Sequence, residues 1–156
     1  MTRNKQVRKE EITVILAYPV TLEPDGEGGV IAGFADVPEA MTVGRDEANA
    51  LDWAADALVV ALSGYLDSRR DIPKPSKPKR GQPVVQLPML VSLKLMIYQA
   101  MCDKNVTQAE LAEKLNCDAR QVRRLLDLDH QSRMDQIEAA LRLLGKKAVI
   151  DFSDAA

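Results

Sequence analysis

The side chains with the most specific chemistry to offer lie in residues 107–130, TQAELAEKLNCDARQVRRLLDLDH. Arg120, Gln121, Arg123 and Arg124 crowd into five positions there. Guanidinium and amide groups are the donors that fork onto phosphates and base edges, so the chemistry expected is nucleic-acid recognition. A second group is acidic. Over residues 12–68, ten carboxylates stand against Arg45 alone, a balance of −9, whereas residues 89–156 carry ten charges of each sign. The acidic half repels nucleic acid and suits a basic protein. Groups for covalent catalysis are sparse: His130 is the sole histidine, and no Ser–His, Cys–His or glycine-rich phosphate pattern occurs. Two-metal nuclease chemistry needs converging carboxylates. Asp36, Asp52 and Asp56 are the nearest approach to such a set, but Asp52 and Asp56 fall off the helix stripe that would face a sheet. No catalytic residue, metal site or cofactor is therefore expected.

The arginines need a rigid support, and the sequence supplies one. Thr107 with Glu110 and Asp118 with Gln121 both have capping-box spacing, each marking a helix start. Leu111, Ala112 and Leu115 share one face of the first helix, and Val122, Leu125 and Leu126 share one face of the second. Asn116-Cys117 leaves room only for a sharp turn, which is helix-turn-helix geometry with the second helix suited to a major groove. The pattern T-Q-x-E-L-A-x-x-L followed by an Arg-rich helix resembles the phage-repressor (Cro/C1, XRE-type) domains, over roughly residues 90–145. That resemblance implies that Gln108 braces the backbone and that Ala119, Arg120 and Arg124 face bases. Gln121, Arg123 and Arg133 complete the expected DNA-contacting set. Asn116 stands where this family usually has Gly; Asn tolerates left-handed backbone angles, so the turn is expected to survive.

The rest of the chain reads as α+β. Residues 12–22 (ITVILAYPVTL) form an expected strand with an edge or bulge at Pro19. A Gly-rich turn leads to a second strand over 30–37, and a brief third covers 41–44, making an antiparallel meander. Asp46 opens a helix to about Asp67, with Leu51, Ala54, Ala55, Leu58, Leu62, Tyr65 and Leu66 as its buried stripe and Trp53 flanking the contact. Residues 71–83 carry four of the eight prolines and read as an extended, solvated spacer; 84–87 is a fourth strand completing the sheet. A helix over 90–101 buries Leu93, Ile97 and Met101 on one side. Ser132 is expected to N-cap a last helix, with Asp135 at its third position, and Gly145 to close it. Residues 148–152 (AVIDF) are expected to be a strand that pairs with another subunit or caps the helices.

Cys102 and Cys117 are too few for a disulfide framework and are expected to be small buried hydrophobes in a reducing cytosol. The charged start MTRNKQVRKEE is unlike a signal peptide. The most apolar stretch, 54–66, is too short to span a bilayer, so a cytoplasmic protein is expected.

The N-terminal half carries Y-P-V-x-L-E-P-D-x-x-G-G (18–29), G-F-x-D-V-P (33–38), M-T-x-G (41–44) and D-E-A-N-A-L with a Pro-rich exit (46–78). In that order these resemble the HicB family, as does the later stretch RRLLDLDHQSRMDQIEAALRLLG. Ala40-Met41 departs from the Gly-Cys common before the third strand, and eleven residues precede Ile12. The resemblance implies an antitoxin whose partial ribonuclease H-like β-β-β-α-β module docks on a HicA-type toxin, a small basic ribonuclease of double-stranded-RNA-binding fold. It also implies that a C-terminal domain represses the operon by binding operator DNA. The expected divisions are a flexible tail (1–11), the toxin-binding module (12–71 plus 84–88), a linker (72–83) and an all-α helix-turn-helix domain with a short terminal strand (89–156). A homodimer or tetramer would present paired recognition helices to a palindromic operator. Asp25, Glu27, Asp36, Glu39, Asp52 and Asp56 are candidate toxin contacts, and each is equally readable as a solvated charge. The alternative function is a transcriptional regulator whose N-terminal module senses a small ligand, although no sequence feature marks a pocket.

Overall fold

The computed structural model describes residues 15–148 and Asp154. Short strands come first: β1 (Ala17–Pro19), β2 (Thr21–Pro24), β3 (Val30–Gly33) and β4 (Met41–Gly44). The long helix α1 (Glu47–Asp67) and strand β5 (Val84–Gln86) follow. The remaining elements are helices: α2 (Met89–Asp103), α3 (Gln108–Leu115), α4 (Ala119–Leu126) and α5 (Met134–Leu143).

Strands β2, β3 and β4 form the expected antiparallel meander, with Leu22, Ala32 and Thr42 in one row and Glu23, Ile31 and Val43 in the next. The single strand expected over 12–22 is instead two. Pro19 has no N–H to donate, and Val20 turns its own N–H to Pro83 O (3.0 Å), so β1 and β2 part there. Strand β1 pairs with β5, Tyr18 opposite Val85, in a ladder separate from the meander rather than completing it. The second strand stops at Gly33, short of the expected Val37, because Phe34 and Val37 turn inward to the core and Ala40 N–H closes a turn on Val37 O.

Helix α1 begins as its cap dictates, with Asp46 accepting from Asn49 N–H at 2.8 Å. Its fully buried stripe is Ala50, Ala54, Leu58, Leu62 and Tyr65; Leu51, Ala55 and Leu66 flank it half-buried. Trp53 does not flank this contact, being 53% exposed on the opposite side of the helix. At Gly44 the backbone of β4 runs so close to Ala50 that any Cβ would collide with main-chain atoms. The N-cap of helix α5 is Arg133, not Ser132, and it makes no side-chain cap hydrogen bond. Ser132 Oγ instead donates to Arg124 O (3.3 Å). Helices α1, α2, α3 and α5 end alike, in paired 6→1 and 5→2 hydrogen bonds around a left-handed residue: Arg69, Asn105, Asn116 and Gly145. The strand expected over 148–152 falls outside the described residues, apart from Ala148, which is in no strand; residues 1–14 also lie outside.

Two hydrophobic clusters form among the described residues. One joins Tyr18, Val20, Phe34, Leu58 and Leu62 to Leu87, and the other joins Leu111, Val122, Leu125, Ile137 and Leu141. Helix α2 serves both, giving Val91 and Leu95 to the first and Leu93, Ile97 and Met101 to the second. Nine of its fifteen residues are buried, so it is covered on two sides rather than the one expected, while Met96, Gln99 and Asp103 border the cleft beside residues 71–75.

Residues 71–83 form neither helix nor strand, turn at Arg80-Gly81, and are held along the surface. Tyr18 and Tyr98 hydroxyls donate to Pro73 O (2.7 Å) and Arg70 O (2.9 Å), and Ile72 N–H donates to Gln99 Oε1 (2.9 Å). Asp36 accepts from both Ser76 N–H and Ser76 Oγ. At the start of this strap Arg70 lies 3.8 Å over the Tyr65 ring and bonds Glu39 at 2.8 Å.

Two consequences are measurable. Gly44→Ala overpacks the β4–α1 contact and should lower stability by about 1–3 kcal/mol or more in urea melts. The Arg70 guanidinium, helped by the Tyr65 hydroxyl, holds the Glu39 carboxyl down at about 2, below its ordinary 4.5. A depressed carboxylate stabilises the fold above its ordinary value and loses that contribution as pH falls through the folded one. The stability difference between wild type and Glu39→Gln should therefore shrink from pH 4.5 towards 2 in stepped-pH urea melts.

Candidate nucleic-acid interface and acidic surface

Helices α3 and α4 are each fixed at both ends by local chemistry. Glu110 N–H donates to Thr107 Oγ1 (3.1 Å) and Thr107 N–H to Glu110 Oε2 (2.8 Å), a complete capping box. At α4 only half of the expected box forms: Asp118 accepts from Gln121 N–H (2.8 Å). Asn116 adopts the left-handed conformation (φ 52°, ψ 47°) expected of it, and Cys117 N–H reaches back to Ala112 O. Leu111, Ala112, Val122, Leu125 and Leu126 are buried, and Leu115 half-buried.

That packing leaves Gln108, Ala119, Arg120, Gln121, Arg123, Arg124 and Arg133 exposed. They do not share one surface equally. Arg120 and Arg124, one turn apart, occupy the outward centre of α4 and enter no ion pair among the described residues. Gln121 borders a cleft against α5 with Asp135 and Gln136. Arg123 and Gln108 border another, of about 390 Å³, against Ser63 and Asp67 at the end of α1. Arg133 is paired with Asp135 at 2.9 Å.

The six acidic candidates also separate. Asp25 builds the β2–β3 turn, accepting from Glu27 N–H (2.7 Å) and Gly29 N–H (2.8 Å), bonds that hold its carboxyl below the usual range. Asp36 is engaged by Ser76 and Glu39 by Arg70 and Tyr65. Glu27, Asp52 and Asp56 are exposed, and no hydrogen bond engages the carboxylates of Asp52 and Asp56 among the described residues. These two lie on the outer face of α1 with Trp53 (53% exposed) and Val60 (71% exposed). Sequence reading missed Trp53 and Val60 as surface groups. The signal available was their position off the 50–54–58–62–65 stripe. Asp36, on the strap side, does not converge with Asp52 and Asp56 into a metal set. Another cleft of about 390 Å³ lies between the strap and α2, but its amide, Gln99, is already bonded to Ile72, Asp71 and Asp103.

The sole buried charge among the described residues is Lys94. Its ammonium donates to the carbonyls of Arg124 (2.9 Å), Asp127 and His130 (2.7 Å). Burial pulls its pKa below that of a free lysine, with Asp127 opposing. Nothing in the sequence singled it out. Among the described residues, no helix is long and apolar enough to cross a membrane.

Comparison with known proteins gives a consistent picture. Residues 17–96 match the family model described as HicB_like antitoxin of bacterial toxin-antitoxin system. Antitoxin HicB of Escherichia coli (strain K12) is 35% identical over 132 residues, 85% of this chain and 96% of that protein. Antitoxin HicB 1 of Photorhabdus laumondii is 36% identical over 135 residues, 86% of each chain. Antitoxin HicB of Pseudomonas fluorescens (strain Pf0-1) is 35% identical over 144 residues, 92% of this chain and 98% of that protein. With half the chain matched by the family model and nearly the whole length of these relatives covered, the chain belongs to the HicB antitoxin family.

Proposed function

We propose that this chain neutralises a HicA-type toxin, a small basic mRNA-cleaving ribonuclease, and represses its own operon in the cytoplasm. In this reading residues 12–71 and 84–88 form a partial ribonuclease H-like toxin-binding module. Residues 89–156 form an XRE-type helix-turn-helix domain that acts as a dimer or tetramer. The observation that carries it is the separation of two exposed surfaces of opposite charge on different elements: Arg120 and Arg124 on α4, Asp52 and Asp56 around Trp53 and Val60 on α1.

On the DNA side, α4 enters the major groove and Arg120 and Arg124 read base edges, guanine being the fitting partner for a guanidinium fork. Gln108 and Arg123, at the flank towards α1, contact phosphates and set the register. On the toxin side, the acidic helix face steers a basic protein into contact, and Trp53 supplies the large amphipathic anchor on which such interfaces depend. The same carboxylates stand in for the RNA phosphates that a basic ribonuclease binds.

The two surfaces are separable by mutation. Joint replacement Arg120→Ala and Arg124→Ala should cost about 1–3 kcal/mol per guanidinium in operator affinity, by anisotropy on a promoter duplex. Neutralisation of the toxin expressed from the adjacent small basic reading frame should stay intact. Trp53→Ala combined with Asp56→Lys should do the reverse, abolishing co-purification with the toxin while sparing promoter binding. Loss of both activities in either variant, with the fold preserved, would refute the division of labour.

A further inference from the structure

Among the described residues, every helix after the meander but one ends in its own left-handed closure. The exception is α4. Its C-cap residue, Asp127, is extended (φ −78°, ψ 112°), so the carbonyls at this end have no local 6→1 partner. A helix leaves its last four carbonyls without intrahelical donors, and that end carries partial negative charge. Here a lysine from another helix takes the role. Lys94 is fully buried in α2, and its three N–H bonds meet three carbonyls: Arg124 in the last turn of α4, then Asp127 and His130 in the following turn. An ammonium has three donors and no acceptor, so it is fully satisfied.

The location of these acceptors matters. Arg124 is one of the two outward arginines, and its own carbonyl is held by Lys94 and, more distantly, by Ser132 Oγ. The turn beyond it sends Leu128 into the strand-side cluster, where Leu95, next to Lys94, also packs. The end of α4 is thus tied to α2 and through it to the meander. Burying a charge is costly unless it is fully bonded, and well-packed apolar residues often do as well for stability alone. What an ammonium adds is a fixed distance and direction to three named backbone atoms.

We propose that Lys94 is a positioning residue for sequence discrimination: it sets the seat of α4, and so the placement of Arg124, without touching DNA. This rests on the reading of α4 as a DNA-recognition helix. The test uses the full chain as wild type, Lys94→Met and Lys94→Gln, each titrated onto its promoter duplex and onto a scrambled duplex of equal length across a salt series. Thermal melting and toxin neutralisation serve as controls of fold. For Lys94→Met, promoter affinity should fall about tenfold or more, the scale of one lost base contact. Scrambled-duplex affinity and the salt slope should hold, because every arginine remains. Lys94→Gln, which keeps two donors, should fall between.

An unchanged promoter-to-scrambled ratio in folded Lys94→Met would overturn the proposal, leaving Lys94 a stabilising group only. If Lys94→Met does not fold, the Gln variant decides: an intermediate ratio supports positioning and a wild-type ratio overturns it. A wild type that does not discriminate the two duplexes would remove the DNA-reading itself and the proposal with it. That failure is distinct, because it shows in the unmutated chain.

Discussion

The structure depends on a helix that is buried in two hydrophobic clusters at once. Helix α2 sits between the strand-side cluster and the helical cluster and is buried against both. Buried apolar surface on two faces of one helix forces the two halves to pack against it together, since separating them would expose one of those faces. Lys94 is the polar counterpart of that constraint. It places a charge in the one position where carbonyls from the end of α4 and the next turn converge.

The legible parts of the fold were those set by local chemistry. Asp46, Thr107 and Asp118 announced their helices because a capping side chain acts within three residues. Asn116 was read correctly in a position where Gly is usual, because left-handed tolerance is a property of the residue itself. The illegible parts were set by partners distant in sequence. Ser132 has the residue type of a cap, yet its hydroxyl goes to Arg124, eight residues back. The break between β1 and β2 depends on Pro83, more than sixty residues along the chain. The second buried face of α2 is invisible because Val91 and Leu95 continue an apolar run that suits one contact as readily as two.

The candidate site divides in the same way. Exposure of Arg120, Arg123 and Arg124 followed from the buried stripe of α4, and all three are exposed. The acidic candidates came from composition alone, which cannot tell a free carboxylate from one already bonded within the fold. Asp25, Asp36 and Glu39 proved to be builders of a turn, a strap and a tyrosine–arginine stack, leaving Glu27, Asp52 and Asp56 with their charge turned outward.

The strap gives the molecule a property that a free tether would deny it. A flexible spacer of this length would let its ends sample many separations, and each would lower the effective concentration of one surface near a ligand held by the other. Fastened through Tyr18, Ile72, Ser76 and Tyr98, the spacer gives up that freedom when the chain folds. The α1 and α4 surfaces then stand at one separation and one orientation. Under the proposed function, whether a toxin and a DNA duplex fit on the chain together becomes a question of steric geometry, not of chain statistics.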